Sequence, residues 1–124
     1  MRVKTSELLG ASLDWAVAKC EGDEIVLDLD GSWDSRTISH QHYSKKLKFN
    51  NYRPSESWAQ GGQIIEREGI QIQKHLSGWI ALPIGAAFSE EEYQEGETPL
   101  IAAMRCYVAN KLGEEVDIPE EVNT

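Results

Sequence analysis

Residues 98–113 leave this chain the least freedom. Thr98 is a residue type that caps a helix N-terminus. Pro99 suits the first helical position, where its missing N–H would have no partner anyway, and Gly113 suits the residue that ends a helix. Between them Leu100, Met104, Tyr107, Val108 and Leu112 return at three- and four-residue steps, so one stripe of this helix must be covered. Residues 6–21 predict a second helix, with Thr5 or Ser6 as cap and Gly22 past its end. Leu9, Leu13, Ala16, Val17 and Cys20 form its apolar face, and Gly10 shifts its regular part toward Ala11.

The rest of the chain supplies strands to cover these helices. Residues 24–30 alternate apolar and acidic side chains, Asp30 and Gly31 read as a turn, and Trp33 opens a partner strand. Residues 47–52 suggest another short strand, 54–57 a proline-led loop, and 64–68 a short helix following Gly61 and Gly62. Ile70, Ile72 and Leu76 alternate with polar residues, Ser77 and Gly78 turn, and 79–82 return as a strand. Residues 85–97 read as a loop. The implied fold is α+β: two main helices packed on a small, mostly antiparallel sheet. A single domain spans residues 1–113, and 114–124 form an acidic tail that need not be ordered.

Charge narrows the functional classes. The chain has 124 residues, enough for one modest core, and a formal net charge of −9. Five acids fall in residues 90–97 and five more in 114–124; without those ten the remainder is within one charge of neutral. Such a balance disfavours indiscriminate binding to nucleic acid, which Lys and Arg drive by neutralising phosphates. The basic exception is 44–53, where Lys45, Lys46, Lys48 and Arg53 interleave with Phe49 and Tyr52. That pattern fits phosphate contact with base stacking, or equally a solvated strand edge. No run of apolar residues is long enough to cross a bilayer, and the first twenty residues lack the apolar core of a secretory signal. Cys20 and Cys106 give no disulfide framework, so a reduced, cytosolic compartment is expected. Complementary charged segments permit a dimer without requiring one.

No catalytic residues stand out. Gly-x-Ser-x-Gly, phosphate-loop and His-Glu-x-x-His patterns are absent, and both cysteines sit in helical stretches that suggest packing. His40 and His42 share a strand side and His75 is a distant third, a set that reads as surface histidines; neither metal nor cofactor is expected. Residues 54–69 are the most informative. Gly61 and Gly62 at a helix start would offer N–H groups to an anion, Trp58 a stacking face, and Gln60 and Arg67 side-chain donors. Arg105 and Tyr107 complete the candidate ligand-binding set. The alternative is a tight loop packed by Trp58, its glycines serving geometry alone.

Three blocks carry a resemblance. The first is Val3-Lys4-Thr5-Ser6-Glu7-Leu8 with Leu13-Asp14-Trp15-Ala16-Val17-Ala18-Lys19. The second is Trp58-Ala59-Gln60-Gly61-Gly62 running into Ile64-Ile65-Glu66-Arg67-Glu68. The third is Thr98-Pro99-Leu100-Ile101-Ala102-Ala103-Met104-Arg105-Cys106-Tyr107-Val108-Ala109, then Lys111-Leu112-Gly113. In order and spacing they resemble the NinX-like family of small proteins from tailed phages and prophages, with Gln63 where that family usually has proline. The resemblance implies a phage accessory protein in the host cytoplasm, and no reaction or catalytic residue. Joined to the site reading, it leads to a non-enzymatic protein that binds a host protein or a small anionic, nucleotide-like ligand. The alternatives are an acidic mimic of DNA, or a nucleic-acid accessory factor using residues 44–53.

Overall fold

The computed structural model describes residues 1–22, 24–27, 33–36, 52–85, 93–119 and 122. Over these the chain runs β1 (Arg2–Lys4), a 3-10 turn (Thr5–Glu7), α1 (Gly10–Cys20), β2 (Glu24–Leu27) and β3 (Trp33–Arg36). It continues through α2 (Trp58–Glu68), β4 (Gln71–His75), β5 (Gly78–Leu82), β6 (Gln94–Gly96), α3 (Pro99–Leu112) and β7 (Glu115–Asp117). The fold is α+β, as expected, and every strand pair among the described residues is antiparallel.

α3 is the axis of the fold. Thr98 caps it as its position predicts, Oγ1 accepting the Ile101 N–H at 3.1 Å, and the helix ends at Gly113 with φ +94°. Leu100, Ala102, Ala103, Met104, Cys106, Tyr107 and Val108 are all buried, which is more than one stripe. A helix apolar nearly all round must be covered on several sides, and α3 is: it packs on β4, β5 and β6, on α1 and α2, and against β7. β4, β5 and β6 form a three-stranded sheet in that order, with Lys74 paired to Trp79 and Trp79 to Gly96. β6 lies so close to the first turn of α3 that a Cβ on Gly96 would stand 2.5 Å from the Ala102 nitrogen.

Four expectations needed correction. The first helix starts at Gly10, not at residue 6: Gly10 has φ +58°, and Ser12 closes the N-terminus by donating to the Leu9 carbonyl at 2.8 Å. Thr5 is spent elsewhere, buried, with Oγ1 donating to the Gly113 carbonyl at 2.6 Å. Leu76 belongs to a hairpin turn with Ser77, not to a strand, and residues 94–96 form a strand where a loop was expected. The boundary at 113 also moves, because charge hid the apolar residues between the acids. β7 pairs with β1 through Val116 and Val3, and Ile118 and Val122 are buried in the core. The expected strand pair from residue 24 is present, with Leu27 opposite Trp33. The turn at Asp30 and Gly31, residues 44–51, and His40 and His42 lie outside the described residues.

Candidate functional site

The glycine pair sits inside a helix, not before one. α2 begins at Trp58, and the Gly61 N–H already donates to the Ser57 carbonyl at 2.8 Å, so it is not offered to an anion. A close approach explains Gly61. A Cβ there would press on the Pro54 carbonyl oxygen and lie 2.7 Å from Leu100 Cδ2, whereas one on Gly62 would meet only Trp58 Cε3 at 3.7 Å. The bare backbone at 61 lets α2 sit against α3 and under the turn at 54–56. Gln60 serves the same junction, its Oε1 accepting the Arg53 N–H at 2.6 Å. Trp58 points outward and is 56% exposed.

Arg67 is engaged within the fold. Its Nη1 and Nη2 donate to the two Glu21 carboxylate oxygens at 3.0 and 2.6 Å, Nη2 also to Tyr107 Oη at 3.1 Å, and Nε to Glu68 at 2.9 Å. The Tyr107 hydroxyl in turn donates to Glu21. The Glu21 carboxylate is only 3% exposed although Arg67 is 44% exposed, so one buried anion joins the end of α1 to α2 and α3. Burial and the Glu21 hydrogen bond push the Tyr107 phenol above its ordinary range, and the same carboxylate holds Arg67 charged. Glu21, Tyr52, Gln60, Gln63, Ile64 and Arg67 line a cleft of about 300 Å³. Removing the anion at Glu21→Ala leaves the Tyr107 hydroxyl and half of Arg67 without their acceptor. A fully buried pair broken this way costs about 3–5 kcal/mol, and the exposure of Arg67 reduces that to about 2 kcal/mol. Urea unfolding measures it; an unchanged midpoint would show the pairing to be idle.

Arg105 lies apart from this cluster. Residues two apart on a helix are turned by about 200°, so Arg105 and Tyr107 leave α3 on different sides. Arg105 Nε donates to the Leu8 carbonyl and Nη1 to the Glu95 carbonyl, each at 2.8 Å. Arg105 lines a second pocket, of about 320 Å³, with His75, Leu76, Trp79, Glu95 and Glu97. Of the seven expected ligand-binding residues, Gln60 and Arg67 therefore share a cleft, with Tyr107 bonded to Arg67. Trp58 stands on the outside of the same helix, Gly61 serves close packing, Gly62 lies within the helix with room for a side chain, and Arg105 lines a different pocket.

The remaining chemical candidates are muted. Burial, with Glu21 adding to it, pushes the Cys20 thiol up to about 12, and burial alone pushes Cys106 to about 11, so both stay protonated and unreactive. In the acidic C-terminal stretch, Glu115 pairs with Arg2 at 3.0 Å and Asp117 with the Met1 amino group at 3.1 Å. Among the basic residues of 44–53, Arg53 is described, 3.7 Å from Glu56.

The sequence profile of the family described as Bacteriophage P22, NinX matches residues 4–111. No curated protein matches the chain. The matched span takes in α1, α2, the three-stranded sheet and nearly all of α3, and so both pockets.

Proposed function

The chain belongs to the bacteriophage P22 NinX family, and on that footing we propose that this phage accessory protein acts without catalysis, by binding a host protein through the outer face of α2. The observation that carries the reading is Trp58. A tryptophan 56% exposed in the first turn of a helix forgoes much of the burial its ring would gain, and tryptophan is among the residues that most often anchor protein interfaces. The adjoining cleft supports a protein partner over a small anion there. Its cation, Arg67, faces Glu21 and Glu68, so an incoming anion would have to displace a buried carboxylate. Around that ion pair, Tyr52, Gln63 and Ile64 add uncharged, partly apolar surface suited to side chains of a partner.

Trp58→Ala tests this directly. The folding midpoint is expected to move little, within about 0.5 kcal/mol, because the ring is mostly in water. Proteins captured from host cells by the native chain should be lost by the variant. A variant that captures the same proteins with the same yield would sink the reading.

A further inference from the structure

The Arg105 pocket shares no element with the α2 cleft, and its walls come from the β4–β5 hairpin, β6 and α3. A guanidinium has five N–H donors. Two of them are held by the carbonyls of Leu8 and Glu95, which fix the group's plane. The other N–H groups have no protein acceptor among the described residues, where Glu97 is the acidic neighbour and acts from beyond ion-pairing distance. An arginine oriented by neutral carbonyls, half-buried and with donors unmatched among the described residues, is prepared for a carboxylate or phosphate brought by a ligand.

The neighbours narrow the ligand. Trp79 is half-buried on the pocket wall, and the Lys74 ammonium lies 5.0 Å from its ring centre. Leu76, at the hairpin tip, is 88% exposed with φ +53°. Bulky side chains rarely adopt that backbone region, and this one recovers nothing by burial within the chain. Trp79 and Leu76 thus offer apolar surface at the mouth of a pocket whose volume, about 320 Å³, sits at the small end for ligand sites. The charges on its walls are mixed: the Glu97 carboxylate stands near the Arg105 guanidinium, outside ion-pairing distance. A purely anionic ligand meets the Glu97 carboxylate as well as the guanidinium, whereas a ligand bearing both signs of charge is matched on both sides.

We propose that this pocket binds a small zwitterion with an apolar or aromatic side group, of the free α-amino acid type. The ligand carboxylate lies on the remaining N–H groups of Arg105, its ammonium faces Glu97, and its side group rests on Trp79 and Leu76. The site is independent of the α2 surface.

The test compares three molecules with one ring and different charges: L-phenylalanine, 3-phenylpropionate and 2-phenylethylamine. Binding is read from the indole N–H resonance of Trp79, assigned by its loss in Trp79→Phe. L-Phenylalanine is expected to shift that resonance saturably, with each singly charged analogue about tenfold weaker, one charge pair's worth of affinity. Glu97→Gln, at an exposed residue, should weaken L-phenylalanine about fivefold while leaving the folding midpoint unchanged. Arg105→Lys should abolish the preference for L-phenylalanine over the amine. It also removes the contacts to Leu8 and Glu95, so Glu97→Gln and the analogue series decide the matter if that variant fails to fold. 3-Phenylpropionate binding the native chain as tightly as L-phenylalanine, with Glu97→Gln leaving L-phenylalanine unweakened, would overturn the zwitterion in favour of a plain anion. No saturable shift with any of the three overturns the site. Trp58→Ala should change none of these results.

Discussion

Gly61→Ala is expected to cost the domain about 3–5 kcal/mol, near or beyond the upper end for over-packed cores and a large part of a total of about 5–15 kcal/mol. The added methyl would meet the Pro54 carbonyl oxygen and, 2.7 Å away, Leu100 Cδ2. Neither can retreat. Pro54 lies in a turn closed by the Glu56 and Ser57 N–H groups donating to the Arg53 carbonyl at 3.0 and 2.7 Å, and Ser55 is tied to α1 through Asp14. Leu100 is 3% exposed in the first turn of α3. Alanine's better helix propensity returns only about 1 kcal/mol. The neighbouring Gly62 is the control, since a Cβ there makes ordinary contact with Trp58 at 3.7 Å. Gly62→Ala should be neutral or stabilising by up to about 1 kcal/mol. Denaturant unfolding of the two variants separates a close-packing role from an anion cradle, which would need both glycines for their N–H groups and predicts little stability loss from either. Equal stability of the two variants would contradict the packing account.

That contrast also shows what could be read from residue order alone. The ends of α3 were legible because a cap, a first-turn proline and a terminal glycine act over a few residues, and local chemistry decides them. The hairpin of β4 and β5 was legible for the same reason, except that Leu76 went to the turn, where neither its size nor its branching belongs. The α2 start was missed because Gly61 and Gly62 read locally as a breaker, while the force that keeps them helical is non-local: two other elements crowd that spot. β6 was missed because Gln94 and Glu95 carry no strand pattern and pair only because β5 offers an edge. Of the Glu21 cluster, Arg67 and Tyr107 stood among the seven candidates, without their pairing, and Glu21 did not. A signal for it existed: a carboxylate at the end of a helix opposes the helix dipole, and such a misplaced charge invites the question of what cation covers it. The separation of Arg105 from Tyr107 was legible too, since residues two apart on the predicted helix are turned by about 200°; which elements each side then meets was not.

Lowering the pH is expected to stabilise this protein through one residue over a range in which paired carboxylates usually act the other way. Asp14, on α1, is 4% exposed and accepts the Ser55 N–H at 2.9 Å. Burial pushes its carboxyl up from 3.8 to about 7; the Ser55 hydrogen bonds and Arg53 pull it back, and Glu56 adds to the rise. The sign follows from proton counting. Between the two values the folded chain holds a proton that the unfolded chain has released, so each unit of rising pH removes up to about 1.4 kcal/mol of stability. The contribution is full below pH 3.8, falls as pH rises, and is gone once pH passes about 7. Across that window the total is on the order of 4 kcal/mol. Asp14→Asn keeps an oxygen for the Ser55 N–H and removes the titration. Its stability should match the native chain near pH 4 and exceed it increasingly up to pH 8, by a few kcal/mol at the plateau. Urea unfolding of both proteins across that range measures the difference directly. A difference that does not change with pH would mean that Asp14 is not the buried acid described. The consequence reaches the proposed binding face, because Asp14 holds the turn from which α2 springs. At neutral pH the ionised carboxylate loosens that seat, and amide exchange over residues 53–62 should then be faster in the native chain than in Asp14→Asn, with the difference closing as pH falls.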